Sequence, residues 1–193
     1  VAKGVNLVAL RVLGCDGAGS YAGIIAAVDW VTANARKPAV VNMSFGGTTY
    51  APLNEAVAAS IASGVTFVVA AGNDGADACG YSPAGVAAAV TVGATGQTDA
   101  RAPFSNGGPC VDLFAPGVGI TSAGTADDSA SRSMNGTSMA APHVAGAAAL
   151  ILADRPEATP AQVASALGAA ARPGAVTDAA GAPGLLAQTA PSS

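Results

Sequence analysis

The sequence contains few charged residues, few aromatic residues and a single histidine. Charged residues make up 10% and aromatic residues 4% of its 193 residues, whereas charged residues usually form about a quarter of a soluble domain. Eight Lys and Arg against twelve Asp and Glu give a net charge of −4, and the basic residues are scattered. Because nucleic-acid binding needs a basic surface, we expect no nucleic-acid partner.

Long apolar runs are also absent. The most apolar stretch, Val144 to Ala153, is ten residues long, and a helix needs roughly 20 apolar residues to span a bilayer, so we expect no membrane partner. A hydrophobic fraction of 51% is nevertheless ample for a core, and the length suits one domain over residues 1–193.

Scarce lysine, many small residues and three cysteines are typical of a secreted protein. In such a protein an odd cysteine indicates a free thiol or a missing partner.

Strand-like and helix-like patterns alternate along the chain. Branched apolar residues over Val5–Leu13 predict a buried strand, and apolar residues at steps of three and four from Tyr21 to Val31 predict a helix. Further strands are predicted over 39–43, 66–71 and 90–94, and further helices over 52–63, over 138–153 and after a capping box that begins at Thr159. This alternation predicts an α/β fold with a parallel sheet covered by helices.

A glycine-rich segment, Gly17 to Gly23, follows the first predicted strand and opens a helix. That placement superficially suits a dinucleotide site, but such a site needs an acidic residue at the end of the next strand to hold the ribose. The next strand ends at Asn42 and Met43 with no acid nearby. A glycine-rich edge that accepts another extended chain fits these residues better.

Residues Gly136 to Ala140 form a nucleophile-like turn in front of an apolar helix. The α/β-hydrolase version of this turn requires a catalytic histidine later in the chain. The only histidine, His143, follows Ser138 by five residues, and five helical steps rotate about 140° and rise ~7.5 Å. We therefore expect His143 to be a packed structural residue that points away from the serine hydroxyl.

Four segments together resemble the subtilisin-like serine peptidases, in the order that this family has them. NGTSMAAPHVAG over Asn135–Gly146 resembles the serine signature of the family, and VNMSFGG over Val41–Gly47, VVAAGN over Val68–Asn73, and FSNGG with DLFAPG within Phe104–Gly117 match as well. The resemblance covers essentially the whole chain and is closest to the proteinase K and aqualysin branch. It implies a three-layer α/β fold with a mostly parallel central sheet, of which the N-terminal portion is missing.

The resemblance also implies site residues for the hydrolysis of polypeptides. Ser138 would be the nucleophile, and the Asn73 side chain and the Ser138 backbone N–H would stabilise the oxyanion, which suits the needs of acyl transfer. Small residues in the main pocket imply a preference for aromatic or aliphatic side chains. The residues expected to bind substrate are Gly17, Ala18 and Gly19 on one edge, Ser44, Phe45 and Gly46 on the other, and Ala70, Ala71 and Gly72 in the pocket.

Two members of the family's triad have no counterpart in the sequence. The triad runs Asp, His, Ser along the chain, and the aspartate and histidine motifs lie before the segment that matches Val1. The missing N-terminal segment is therefore an expected partner. A fragment, a cleavage product and a naturally truncated relative remain open, and so does a different function, that of a non-catalytic peptide-binding module.

The resemblance further implies a disulfide and a calcium site. Cys79 and Cys110 lie where the aqualysin branch has a disulfide, and the usual partner of Cys15 lies near the missing histidine motif. The calcium ligands would be the Asp112 carboxylate and the carbonyl oxygens of Ala87 and Ala89, and oxygen ligands suit a hard cation. A solvated Asp112 without a metal is the alternative.

Overall fold

The computed structural model describes residues 1–189 and contains a four-stranded parallel sheet at its centre. Strand β1 pairs with β3, β3 with β5, and β5 with β6, which gives the order β1-β3-β5-β6. The eight strands in this part of the chain are β1 (Val40–Met43), β2 (Gly47–Thr48), β3 (Thr66–Ala70), β4 (Tyr81–Ser82), β5 (Val90–Thr95), β6 (Leu113–Pro116), β7 (Ile120–Ala123) and β8 (Ser131–Met134).

Helices cover both faces of this sheet, as the alternating pattern predicted. Residues 1–189 form four α-helices, α1 (Tyr21–Asn34), α2 (Ala51–Ala62), α3 (Thr137–Asp154) and α4 (Pro160–Ala170), and a short 3₁₀ helix over Ala78–Gly80. Strand β3 is buried along its whole length: Phe67 and Val69 pack in the cluster that holds α1 and α2, whereas Val68 and Ala70 pack in the cluster that holds α3 and α4. Since alternate residues of a strand point to opposite faces, this arrangement is a three-layer α/β fold.

The helix boundaries follow local signals in the sequence. Helix α4 begins with the predicted capping box, in which the Thr159 side chain accepts from the Gln162 backbone N–H and the Gln162 side chain accepts from the Thr159 N–H. Helix α1 begins after Ser20, whose hydroxyl accepts from the Gly23 N–H. None of the helices in the described part of the chain is both long and apolar enough to cross a membrane.

The two edges of the sheet differ. The outer side of β6 is covered by the C-terminal segment, since the Phe114 N–H donates to Leu185 and the Ala187 N–H donates to the Phe114 carbonyl oxygen. Within residues 1–189, no strand pairs with the outer side of β1. That edge therefore presents backbone groups that another extended segment can pair with.

The prediction of a buried strand over Val5–Leu13 is wrong. No part of this segment is in a strand, and Leu7 and Val8 are 90% and 73% exposed. A run of branched residues forms a buried strand only beside a neighbouring strand with a layer on each face. The described residues provide no such neighbour, so apolar side chains that suit a core lie on the surface.

The predicted disulfide is confirmed. Cys79 and Cys110 are bonded, with their Cα atoms 5.3 Å apart, and Cys15 is free and exposed. The bond ties the loop after β3 to the segment that leads into β6. It therefore crosslinks two parts of the chain that lie 31 residues apart in the sequence.

Thiol titration of the denatured, unreduced protein should find one reactive thiol, that of Cys15. Replacing both Cys79 and Cys110 with Ser should lower the free energy of unfolding by about 3–4 kcal/mol, because the unfolded chain gains loop entropy. As a control, Cys15→Ser should reduce the titrated count to zero and leave the unfolding free energy close to that of the parent. A count of three thiols in the parent would contradict the pairing.

Candidate active site

Ser138 lies in the first turn of α3, directly after a tight turn at Gly136. Gly136 has φ 152° and ψ 158°, a conformation that is essentially restricted to glycine. The first backbone N–H groups of a helix lack partners within the helix, and the helix dipole favours negative charge beside them. The serine hydroxyl is therefore held next to donors that could stabilise an anion.

Two reciprocal hydrogen bonds join Ser138 to the segment after β1. The Ser138 hydroxyl donates to the Ser44 carbonyl oxygen at 2.8 Å, and the Ser44 hydroxyl donates to the Ser138 carbonyl oxygen at 2.8 Å. The Asn42 side-chain amide donates to the Ser44 hydroxyl at 2.9 Å. The carboxyl end of β1 and the start of α3 thus meet, at the end of a parallel sheet where ligands commonly bind.

Asn73 follows β3 and is oriented by Thr137. Its side-chain oxygen accepts from the Thr137 backbone N–H at 2.8 Å and from the Thr137 hydroxyl at 3.0 Å. The Gly72 N–H donates to the same hydroxyl at 3.2 Å, and Thr137 is fully buried. With its oxygen engaged, exposed Asn73 keeps its side-chain NH₂ group available as a donor beside Ser138.

Buried Asn106 holds the loop that carries Asn73. Its side-chain oxygen accepts from the backbone N–H groups of Asp74 and Ala76, at 3.0 and 2.9 Å, and its side-chain NH₂ donates to the Ala71 carbonyl oxygen at 2.9 Å. The sequence resemblance included Asn106 only as a letter of FSNGG. Its role depends on contacts with residues 30 to 35 positions away, which no local pattern indicates.

A cavity of 270 Å³ opens beside Ser138. Of the predicted substrate-binding residues, five line it, and Ser44 contacts Ser138 directly, whereas Gly17, Ala18 and Gly19 are exposed and do not line it. Sequence reasoning missed Tyr81 and Ser82, because the two-residue strand β4 leaves no pattern, and it missed Asp74, which lies directly after the motif VVAAGN. The five predicted residues in the lining are Phe45, Gly46, Ala70, Ala71 and Gly72.

His143 is turned away from Ser138, as helix geometry predicted. Its Nδ1 donates to the Met139 carbonyl oxygen of the same helix at 2.8 Å. The ring lines a separate cavity of 390 Å³, together with Val1, Ala115 and Ala147. The only imidazole of the chain therefore lies outside the cavity at Ser138 and is not placed to take the serine proton.

Asp112 lies at the start of β6, beside the end of the loop that contains Ala87 and Ala89. Its Oδ2 accepts from the Thr91 backbone N–H at 2.8 Å. Burial of the carboxyl raises its pKa, and the bond from Thr91 partly opposes this change. Among residues 1–189, no group of three or more His, Cys, Asp or Glu side chains could hold a metal ion, so any metal here would also need backbone oxygens.

Comparison with known proteins gives one family and many relatives. The family model described as the subtilase family matches residues 1–187. The chain is 59% identical, over 93% of its length, to an extracellular serine proteinase of Thermus sp. (strain Rt41A), and 55% identical, over 92%, to alkaline serine exoprotease A of Vibrio alginolyticus. It spans 44% and 33% of those two proteins, less than half of either.

Solved structures give the same result for the fold. A cold-adapted subtilisin-like serine proteinase matches with a TM-score of 0.96 and 48% identity, over 99% of this chain and 69% of that one. A protease from Pseudoalteromonas arctica PAMC 21717 matches with a TM-score of 0.83 and 31% identity, over 93% of this chain and 60% of that one. The predicted three-layer fold with a mainly parallel central sheet is confirmed.

Replacing Asn106 with Ala should lower the free energy of unfolding by about 2–4 kcal/mol, because three hydrogen bonds are lost and each is worth about 0.5–1.5 kcal/mol. Asn34→Ala is a matched control, since Asn34 makes one exposed bond to the Trp30 carbonyl oxygen, and its effect should stay within about 0.5 kcal/mol. Urea denaturation of both variants beside the parent measures the difference. Equal effects would contradict the role given to Asn106.

Proposed function

Because the chain belongs to the subtilase family, we propose that it is the serine-bearing part of an endopeptidase that hydrolyses peptide bonds through an acyl-enzyme on Ser138. The observation that supports this most directly is the pairing of the Asn73 side-chain oxygen with Thr137. That pairing leaves one side-chain donor next to a serine at a helix N-terminus. A carbonyl oxygen that gains negative charge needs this combination of donors.

In the proposed reaction, the Ser138 oxygen attacks the carbonyl carbon of the scissile bond and passes its proton to a base. The Asn73 side-chain NH₂ and the Ser138 backbone N–H then donate to the oxyanion of the tetrahedral intermediate. Collapse of the intermediate breaks the C–N bond, and the base returns the proton to the leaving amine. Water repeats these steps on the ester, which releases the acid and restores the serine.

The base and its aspartate would come from a segment outside these residues. His143 lies in another cavity, and the relatives that match are more than twice as long as the matched part. Two surfaces are available to such a segment within the described chain: the outer edge of β1 is unpaired, and Leu7 and Val8 are exposed. The missing N-terminal segment is therefore the proposed partner of this chain.

Substrates would be polypeptides in extended form. The exposed segment Gly17 to Gly19 and the segment Ser44 to Gly46, of which Ser44 and Phe45 are partly buried, would pair with the substrate through their backbones on its two sides, in the manner of an added strand. The 270 Å³ cavity would take the side chain that precedes the scissile bond, and the alanines in its wall leave room for aromatic or aliphatic groups.

Secretion of the protein is proposed too, because the Thermus relative is named an extracellular proteinase.

A non-catalytic peptide-binding module is the second candidate. It is favoured by the hydrogen bond from the Ser138 hydroxyl to the Ser44 carbonyl oxygen, which engages the serine proton with an acceptor that cannot remove it. Such a protein would keep the cleft and the oxyanion donors but would form no acyl-enzyme. Labelling of the serine distinguishes the two candidates.

A structural calcium ion is proposed at Asp112 with the carbonyl oxygens of Ala87 and Ala89. The donor chemistry fits, because all three ligands are oxygens, and within residues 1–189 no hydrogen bond outside the helices and strands ends on either carbonyl. A calcium ion prefers oxygen ligands of this kind. The ion would compensate a carboxylate whose pKa burial raises, and it would stabilise the fold without taking part in the reaction.

A serine-directed phosphonate should not label the purified 193-residue chain at a useful rate, because a neutral hydroxyl without a base is a weak nucleophile. Adding the N-terminal segment, covalently or as a second chain, should restore labelling. In that restored protein Ser138→Ala should abolish labelling, and Asn73→Leu should lower turnover by ~10²–10³-fold. Rapid labelling of the chain alone, with its mass verified, would refute the need for an added base. No labelling of a folded, restored protein would favour the binding module.

Removal of calcium by a chelator should lower the melting temperature, because the folded state loses a ligand. Asp112→Asn should reproduce much of that loss and should no longer respond to chelator. The control Asp128→Asn changes the same charge at an exposed position and should respond as the parent does. An Asp112→Asn protein that still responds fully to chelator would place the ion elsewhere.

The same pair of proteins should differ with pH in the presence of chelator. Since burial raises the Asp112 pKa, the group stabilises the fold below its unfolded-state pKa, and this contribution is lost as pH rises through its folded-state pKa. The melting temperature of the parent should therefore fall relative to that of Asp112→Asn as pH rises from the unfolded-state pKa through the folded-state pKa of Asp112. A parallel pair of curves would contradict the raised pKa.

A further inference from the structure

The carbonyl oxygen of Ser138 lacks the hydrogen-bond partner that an α-helix usually provides. In an α-helix, such an oxygen accepts from the backbone N–H of the residue four positions later. That residue is Pro142, which lies inside α3 and has no N–H. The proline ring also crowds the carbonyl group four residues before it. The first turn of α3, which carries the candidate nucleophile, therefore lacks one of the bonds that hold the turn of a helix.

The hydroxyl of half-buried Ser44 provides a donor in place of that N–H. It donates to the Ser138 carbonyl oxygen at 2.8 Å. A serine hydroxyl has a single proton and can rotate to give it to another acceptor. The support that Ser44 gives to the first turn of α3 therefore depends on what fixes the direction of this hydroxyl.

The Asn42 side chain is placed to fix that direction. Asn42 lies on β1, and alternate residues of a strand point to the same face of the sheet. Val40 packs in the cluster that holds α3, whereas Met43 packs in the cluster on the other face, so Asn42 points to the side of α3. Its Nδ2 donates to the Ser44 Oγ at 2.9 Å. Because an amide nitrogen only donates, the hydroxyl accepts from it and its own proton is left for the Ser138 carbonyl oxygen.

From these contacts we propose that Asn42 is a positioning residue, which acts through the Ser44 hydroxyl on the first turn of α3 and so on Ser138. Asn42 would touch neither the substrate nor the reacting atoms. It would keep the Ser138 hydroxyl and backbone N–H in the place where attack and oxyanion stabilisation occur, and small displacements of reacting groups lower the rate. A residue that acts in this way affects kcat more than it affects KM.

This inference rests on the proposed function, so the test measures the contact both with and without catalysis. The protein is the chain joined to its N-terminal segment, and turnover of a peptide anilide is measured well below the melting temperature of every variant. Asn42→Asp keeps the shape of the side chain but replaces its donor by an acceptor. The Ser44 hydroxyl would then donate to the new carboxylate, and the Ser138 carbonyl oxygen would lose its donor.

Asn42→Asp should lower kcat about two- to tenfold and leave KM nearly unchanged, the range for the loss of one hydrogen bond. Asn42→Ala should have a smaller effect, because the hydroxyl keeps its proton for Ser138 and loses only its fixed direction. The control Asn34→Asp makes the same change at an exposed asparagine on α1, whose Nδ2 donates to the Trp30 carbonyl oxygen, and should leave kcat at the value of the parent. An unchanged kcat in Asn42→Asp, or an equal fall in Asn34→Asp, would overturn the proposal.

Double-mutant cycles separate the hydrogen bond from the charge that Asn42→Asp introduces. If Asn42 acts through Ser44, this substitution should have little further effect on kcat in a Ser44→Ala background. In a Pro142→Ala background, where the Ser138 carbonyl oxygen regains a helical donor, the effect of Asn42→Asp should shrink as well. An undiminished effect in either background would mean that the added charge acts directly on the reaction, and it would overturn the proposal.

Melting temperatures provide a readout that needs no catalysis. The downward shifts caused by Asn42→Ala and Ser44→Ala should not add, so the double variant should melt close to Ser44→Ala. If the parent cleaves no anilide but the shifts are non-additive, the proposed reaction fails and the contact between Asn42 and Ser44 stands. If the parent cleaves the anilide and the effects of the two substitutions are additive in both melting temperature and kcat, the reaction stands and the role of Asn42 fails.

Discussion

The pair of hydrogen bonds between the Asn73 side-chain oxygen and Thr137 is the contact on which the candidate site depends. It joins the loop after β3 to the first turn of α3, two elements that lie 64 residues apart in the sequence. Because Thr137 is fully buried, its end of both bonds is shielded from water and fixed by the surrounding core, while Asn73 stays exposed. Ser138 is the next residue along the helix, so the contact that orients the amide also places the serine.

The sheet explains why this contact can form. Strands β1, β3, β5 and β6 run parallel, so their carboxyl ends meet at one edge. Ser44 follows β1 and Asn73 follows β3, while α3 packs against the sheet with its N-terminus at the same edge through the cluster of Val68, Val92 and Val144. The hydrophobic core therefore sets the distance between the two loops and the helix, and short polar bonds from Ser44, Thr137 and Asn106 complete the alignment.

The sequence allowed the four helices and the strands at 40–43, 66–70 and 90–95 to be predicted to within a few residues, because each has a local signal: an apolar period, a cap or a run of branched residues. The strand over Val5–Leu13 was wrong because a strand is defined by its neighbour, and the pattern carries no information about the neighbour. The strands β2 and β4 were not predicted, because each has only two residues and is defined by its pairing with the other. The cavity was foreseen only where a motif named its residues, so Ala70 to Gly72 were included and Asp74, Tyr81 and Ser82 were not.

The donors and the base of a serine peptidase have different physical requirements, and the chain illustrates the difference. Donors need to be rigid, and the proposed donors lie at a helix terminus and in a loop that is held by buried Asn106 and Thr137. A base needs to reach the hydroxyl in the right orientation and with a pKa near the working pH, and it can come from a separate segment. In the proposed function, such an arrangement would hold an extended peptide beside the oxyanion donors before any proton is transferred. Under the proposed function, the affinity for a peptide would therefore be determined largely by residues of this chain, whereas the rate of cleavage would be controlled by the segment that brings the base to Ser138.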